Sequence, residues 1–210
     1  GIGLEFVKQY DEHGSRVFAT CRDPSSADQL RAIAAGSKGR VSVHALDVTN
    51  HPQIEALAEE LGDEAIDILV NNAGFGWAPP GAGPHFETFG NTNYERWAAV
   101  MQTNLFGVMK VSETFAEHVA RSERKIIAAL SSALASVTNA EADDCHIYRT
   151  SKAGVNMLVK VMAEYLRDRG IITVALSPGW VSTEMGTAAA TVKVEDSIRA
   201  MRGILDGLTL

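Results

Sequence analysis

Only two cysteines occur in 210 residues, Cys21 and Cys145, and neither has a C-x-x-C partner. That scarcity excludes a disulfide framework and a structural zinc site, and it suits a reducing, cytoplasmic setting. The histidines (13, 44, 51, 85, 118 and 146) lack H-E-x-x-H spacing, so no metal site is expected. Basic charge is short as well: 19 Lys and Arg stand against 26 Asp and Glu, for a net charge of −7. Nucleic acid and anionic membranes call for clustered Lys and Arg, so neither is an expected partner. No apolar run approaches the length needed to span a bilayer, and no basic segment followed by an apolar one opens the chain. Repeats, low-complexity tracts and linkers are missing too, so residues 1–210 read as a single domain.

What the chain does have is an alternation. Short apolar runs rich in β-branched residues lie at 16–21 (RVFATC), 41–46 (VSVHAL), 66–72 (IDILVNN), 125–130 (KIIAAL) and 171–177 (IITVALS). Between them lie helical patterns near 1–13, 51–61, 93–121 and 147–169. This is a βαβ order, and near-continuous apolar strands are those buried on both faces of a parallel sheet. The expected fold class is α/β, with a three-layer αβα arrangement. Ligands of such sheets bind outside the carboxyl ends of the strands. The residues that follow the strands are Arg22 and Asp23, Asp47 to Thr49, Asn71 to Gly74, Ser131 and Ser132, and Ser177 to Gly179. Small and polar residues gather there, although the same types also serve ordinary turns.

Chemistry enters with "YRTSK", which sets Tyr148 and Lys152 four residues apart on one helix face. An ammonium beside a phenol favours the phenolate, so Lys152 is expected to lower a pKa otherwise near 10. Ser132 ends "KIIAALSS" at the rim where that helix starts, and its hydroxyl suits either a turn cap or a hold on a carbonyl oxygen. Asn104, in "MQTNLFG", falls mid-helix, where Asn is mildly unfavourable unless its side chain is engaged; a solvent-facing Asn is the plainer account. No G-x-S-x-G elbow surrounds either serine of the pair, which argues against acyl transfer there.

Taken together, "NNAG" at 71–74, Asn104, the Ser pair ahead of "YRTSK", and "SPGWVSTEMG" at 177–186 resemble the short-chain dehydrogenase/reductases. The likeness runs over essentially the whole chain and is to the branch of small carbonyl reductases with sniffer-like and C-factor-like members. It implies a Rossmann-type, doubly wound parallel sheet and an enzyme that moves a hydride between nicotinamide and a carbonyl or alcohol substrate. By that resemblance Tyr148 is the proton donor or acceptor, and Lys152 lowers its pKa and contacts the nicotinamide ribose. Ser132 orients the substrate carbonyl, and Asn104 holds a water that links Lys152 to solvent. Asn72, Ala73 and Gly74 line the adenosine side of the cofactor, Asp47 and Val48 its adenine, and Pro178, Gly179, Val181 and Thr183 the nicotinamide. Gly1, Ile2 and Gly3 become the end of a T-G-x-x-x-G-x-G loop. The family commonly forms homodimers or homotetramers through the helices at 93–121 and 147–169. It uses the region from Met185 to Leu210, with its helix VEDSIRAMRGIL, as a lid, although that helix has an apolar face able to pack on the core.

The cofactor's phosphate is argued separately. Arg22 directly follows the strand that ends at Cys21, and an Arg there accommodates the 2′-phosphate of NADP, whereas an Asp or Glu would hold the ribose hydroxyl of NAD. NADP(H) is favoured, and Asp23 keeps NAD(H) open.

Departures matter too. Ala129 and Ala135 stand where the family has Asn and Gly around the Ser pair, and the Ser132 to Tyr148 spacing is long. These leave open a regulatory or signalling protein with vestigial activity; an epimerase or dehydratase fits the motifs less well. The acidic NAEADDCH stretch (139–146) and the Gly- and Pro-rich segment 75–97 are expected as substrate-side walls or as plain surface loops. A strand and T-G-x-x-x are expected ahead of Gly1, and a final strand beyond Leu210, because without the first strand its neighbours would hold unpaired backbone groups. The sequence is accordingly read as a fragment.

Overall fold

The computed structural model describes residues 1–76, 87–140, 145–186 and 189–209, so the Gly- and Pro-rich stretch 77–86 and the acidic stretch 141–144 lie outside the described residues. In chain order the elements are α1 (Ile2–Glu12), β1 (Val17–Cys21), α2 (Asp28–Gly36), β2 (Val41–Ala45), α3 (His51–Leu61), β3 (Ile68–Asn71), α4 (Tyr94–Met101), α5 (Gly107–Ala120), β4 (Ile126–Leu130), α6 (His146–Tyr165), β5 (Ile172–Leu176) and α7 (Val194–Gly207). All five expected strands form, within a residue or two of the expected bounds. Helix α2 is an addition: DQLRAIAAG is a brief pattern in which Leu30 alone is buried. The helix expected over 93–121 is divided between α4 and α5 by a π-helical turn at Gln102–Phe106.

The described chain forms two compact units, one of Gly1–Gly62 with Trp180–Gly207 and one built on Asp63–Gly179. In the first, β1 and β2 pair in parallel, with Val17 opposite Val41 and Cys21 opposite Ala45. Ala19, Val41 and Leu30 are its buried centre, and Leu4, Val7, Ile33 and Val43 close around them. Helix α3 opens where the Asn50 side chain accepts the Gln53 N–H and Pro52 fills the first turn, so one otherwise unpaired donor is satisfied. His44 ties β2 to α3, with Ser42 Oγ at 2.8 Å from one ring nitrogen and Glu60 Oε1 at 2.9 Å from the other.

The tail helix α7, expected either as a lid or as a packed element, packs. Ile198, Met201 and Leu205 are buried, and Arg202 carries a polar seam to α1. Its Nη1 donates to Gln9 Oε1 at 3.3 Å, its guanidinium lies 5.0 Å over the Tyr10 ring, and Gln9 Nε2 donates to Glu5 Oε1 and to the Glu195 carbonyl. A stacked, desolvated guanidinium of this kind fixes orientation as well as adding area.

In the second unit β4 is the middle strand of a parallel sheet ordered β3, β4, β5, with Ile126 opposite both Ile68 and Ile172. Ile126, Ile127, Ala128 and Ala129 are fully buried, which is why KIIAAL shows no polar alternation. Ile127 packs with Val119 of α5 and Ile171, and Ala129 packs with Val108 of α5 and Val155, Val159 and Met162 of α6. Ala129, small and on the helix-facing side of β4, lets both helices approach closely. Their amino-terminal halves are thereby set beside the carboxyl end of the sheet.

Candidate active site

The site grows from the end of β4. The Ser131 N–H donates to the Leu176 carbonyl at 2.7 Å, which carries the ladder with β5 one residue past the strand. The chain then turns, and Ser132 caps a short 3-10 turn at Ala133–Ala135, its Oγ accepting the Leu134 N–H at 3.2 Å. The same hydroxyl is hydrogen-bonded to Tyr148. Helix α6 opens after Cys145, which sits in the left-handed region (φ 55°); its first turn delivers Tyr148 and its second Ser151 and Lys152.

Lys152 is 5% exposed, donates from Nζ to the Leu130 carbonyl at 2.8 Å, and lies 5.8 Å over the centroid of the Tyr148 ring. Burial disfavours the ammonium and pulls its pKa down to about 8. Tyr148 moves the other way: burial raises its pKa, and the Ser132 hydrogen bond offsets this only in part. This corrects the expectation that Lys152 lowers Tyr148. The ammonium faces the ring and a carbonyl rather than the phenol oxygen, so desolvation of the phenolate outweighs it.

Asn104 is fully buried inside the π turn, which removes the solvent-facing alternative. Its Oδ1 accepts the Phe75 N–H at 3.0 Å, and its Nδ2 donates to the Phe75 carbonyl at 2.7 Å and to Ser151 Oγ at 3.0 Å. Ser151 Oγ donates in turn to the Tyr148 carbonyl at 2.8 Å. One amide thus ties the segment after β3, the π turn and α6 together. At Gly74 a Cβ would lie 3.3 Å from both Asn104 Oδ1 and Lys152 Nζ. Gly76 has φ +131° and abuts the Tyr148 ring and Val100, so a side chain there is strained as well as crowded. Asn71 anchors the start of this segment by donating to Ser112 Oγ at 3.1 Å.

The structure therefore brings Gly74, Asn104, Ser132, Tyr148 and Lys152 into one cluster. Asn72 and Ala73 run into it from β3. Pro178 and Gly179 follow β5, with Gly179 at φ +79°. The pattern of residues did not reveal the π turn, the tie from Asn104 to Phe75 and Ser151, or the hydroxyl of Ser131, which donates to Asn156 Oδ1 at 2.6 Å. The one available signal was an Asn in mid-helix.

The remaining candidates lie in the first unit. Gly1 is the N-cap of α1, and Ile2 and Gly3 form its first turn, where N–H groups and the helix dipole favour an anion. Arg22 is exposed just past β1. Asp23 is engaged: its Oδ1 accepts the Ser25 N–H at 2.9 Å and the Ser25 hydroxyl at 2.6 Å, and these bonds lower its pKa. Asp47 accepts the Thr49 N–H and hydroxyl at 2.9 and 2.7 Å; those bonds, with a smaller contribution from the Arg22 charge, lower its pKa. Its own N–H donates to Gln53 Oε1 at 2.7 Å, so the turn through Val48 is held from both sides. Val181 is buried and bridges to Val192, and Thr183 Oγ1 accepts the Gly186 N–H at 3.1 Å.

Comparison with known proteins places this geometry. Residues 1–204 match a family model described as enoyl-(acyl carrier protein) reductase. C-signal of Myxococcus xanthus is 31% identical over 157 residues, covering 74% of this chain and 89% of that protein. Two solved structures superpose closely. One is a short-chain dehydrogenase/reductase of Burkholderia multivorans with bound NADP (29% identity, TM-score 0.88, 98% and 86% of the two chains). The other is an NADPH-bound carbonyl reductase from chicken fatty liver (30% identity, TM-score 0.87, 100% and 88%). The chain belongs to the short-chain dehydrogenase/reductase family of oxidoreductases and has its Rossmann-type, three-layer α/β fold.

Proposed function

We propose that the protein is an NADP(H)-dependent carbonyl reductase or alcohol dehydrogenase in which Tyr148 is the acid/base, with residues 1–210 serving as one nucleotide-binding domain. The carrying observation is the Tyr148 phenol hydrogen-bonded to Ser132 with the Lys152 ammonium over its ring. The NADP- and NADPH-bound relatives support the cofactor, and so does the chain itself. Gly74 leaves open the space beside Lys152 that a side chain would fill, Arg22 is exposed where a 2′-phosphate could meet it, and Asp23 is occupied by Ser25.

When bound, the nicotinamide supplies the hydride. The protein supplies the proton and the position. A substrate carbonyl oxygen placed between Ser132 Oγ and the Tyr148 hydroxyl accepts the phenolic proton as hydride reaches its carbon. The phenolate left behind is stabilised by the Ser132 hydroxyl until solvent returns the proton. Taken unit by unit, the residues we assign to the nucleotide are the turn at Asn72–Gly74 with Pro178 and Gly179 in the second unit, and in the first unit the opening turn of α1, Asp47 and Val48, which would take the adenine, and Val181 and Thr183, which would take the nicotinamide. A second reading, a cofactor-binding signalling protein, draws on the likeness to C-signal and predicts NADPH binding without turnover of any carbonyl. Because Cys21 and Cys145 form no disulfide, we place the protein in the cytoplasm, which recovery from a secreted fraction would contradict. We also propose a homodimer or homotetramer that covers Met157, Val161 and Tyr165, exposed at four-residue spacing on α6.

Tyr148→Phe removes only the transferable proton. We expect turnover in an NADPH-oxidation assay to fall by roughly 10²- to 10⁴-fold while NADPH binds as before, and near-normal turnover sinks the assignment. Arg22→Ala is expected to raise the NADPH KM by about 10- to 100-fold and to leave the NADH value alone; equal effects on both would remove Arg22 from the phosphate site. Lys152 gives a pH test with a definite sign. The folded chain releases its proton at about 8, whereas an ordinary lysine holds it to 10.5. In that window the unfolded state binds more protons, so stability rises with pH. Urea unfolding of the wild type, relative to Lys152→Met, should show a gain of about 2 kcal/mol from pH 8 to 10; a flat difference contradicts the burial of a charged lysine. Finally, sedimentation equilibrium reading the mass of one chain at micromolar concentration would rule out the oligomer.

A further inference from the structure

We propose that Asn156 is a positioning residue for the Ser132–Tyr148 pair, acting through Ser131. This rests on the reading of Ser132 and Tyr148 as the reacting groups. Ser131 and Ser132 are consecutive, yet they are held differently. Ser131 is 5% exposed, and its single hydroxyl proton goes to Asn156 Oδ1 at 2.6 Å, the short end of the range for such bonds. Its backbone N–H goes to Leu176. The residue is thereby pinned between β5 and α6, and only one bond separates it from the residue whose hydroxyl meets Tyr148.

The other end of the bond lies on α6 itself. Tyr148, Lys152 and Asn156 are spaced four apart on that helix, so they share a face. Tyr148 meets Ser132, Lys152 meets the Leu130 carbonyl, and Asn156 meets Ser131. Three successive turns of α6 thus grip three consecutive residues at the end of β4. Only the Asn156 contact joins two neutral side chains without a proposed part in the reaction, so its effect on catalysis is one of register. The chain has Ala129 and Ala135 where the Ser turn of the family carries Asn and Gly, and among the described residues Asn156 is the side chain that holds the turn at Ser131.

Asn156 is exposed, so truncating it opens no core cavity and leaves folding intact. We expect Asn156→Ala to lower kcat by about 10-fold, since small misplacements of reacting groups are costly, with the NADPH dissociation constant within about twofold of wild type. Asn156→Asp keeps the acceptor oxygen and should recover most of the lost kcat. The pair Ser131→Ala with Asn156→Ala should lose no more than either alone, because both remove one bond. A second readout needs no turnover. Ultraviolet difference titration against Tyr148→Phe reports the ionisation of Tyr148, and loosening Ser132 in Asn156→Ala should move it to higher pH, because the Ser132 bond is what lowers it. An Asn156→Ala protein with wild-type kcat and an unshifted Tyr148 titration overturns the proposal, as does an Asn156→Asp protein no better than Asn156→Ala. If instead Tyr148→Phe turns over normally while Asn156→Ala still shifts the titration, the catalytic reading falls and the positioning of the pair stands.

Discussion

The arrangement of the second unit depends on how one buried amide is satisfied. Asn104 is sealed from water in the middle of a long helical run, and an unpaired amide there would cost about 1–3 kcal/mol for each group left without a partner. Its partners lie on two other segments, the Phe75 backbone and Ser151. The π turn at Gln102–Phe106 opens the helix at this position, and such turns occur mostly as single interruptions at functional sites. The residues around Gly74 and the start of α6 are therefore drawn to the same place as a condition of burying Asn104.

A second constraint follows from the first. Once those segments close around it, Lys152 is held in a space with little water, and burial alone carries its pKa to about 8. Tyr148 in the same enclosure is pushed up by the same cause. Burial opposes charge on both groups. A phenol that must pass through a phenolate in such a place needs compensation, and the Ser132 hydroxyl is what the chain provides. The helix spacing of Tyr148 and Lys152 was legible in the sequence; the direction of the resulting shift was not, because spacing says nothing about desolvation.

The same division runs through the rest of the molecule. Strand β4 could be read directly, since four consecutive fully buried residues leave an uninterrupted apolar run. So could Gly74 and the Ser pair, which sit where a parallel sheet presents its strand ends. Helix α2 was not legible, because one buried leucine in nine residues leaves hardly any period to detect. The link from Ser131 to Asn156 was hidden for another reason: the two are 25 residues apart, and only the packing of α6 on β4 brings them together. Ala129 makes that packing close, so a residue that looked like a loss of function in the Ser turn also lets α5 and α6 approach the strand.

Ser132 shows why a structural and a chemical role need not compete for one residue. A serine hydroxyl has one proton and two lone pairs. Accepting the Leu134 N–H takes one lone pair and fixes the Oγ against the 3-10 turn. The proton and the other lone pair are still available toward Tyr148. While Tyr148 is a phenol, Ser132 can accept its proton; once Tyr148 is a phenolate, Ser132 can donate, and that second state is the one that lowers the tyrosine pKa. The change needs only a rotation about the C–O bond, with no movement of heavy atoms. The cap that makes Ser132 look like an ordinary turn residue is therefore what keeps its oxygen in place while the hydrogen bond reverses.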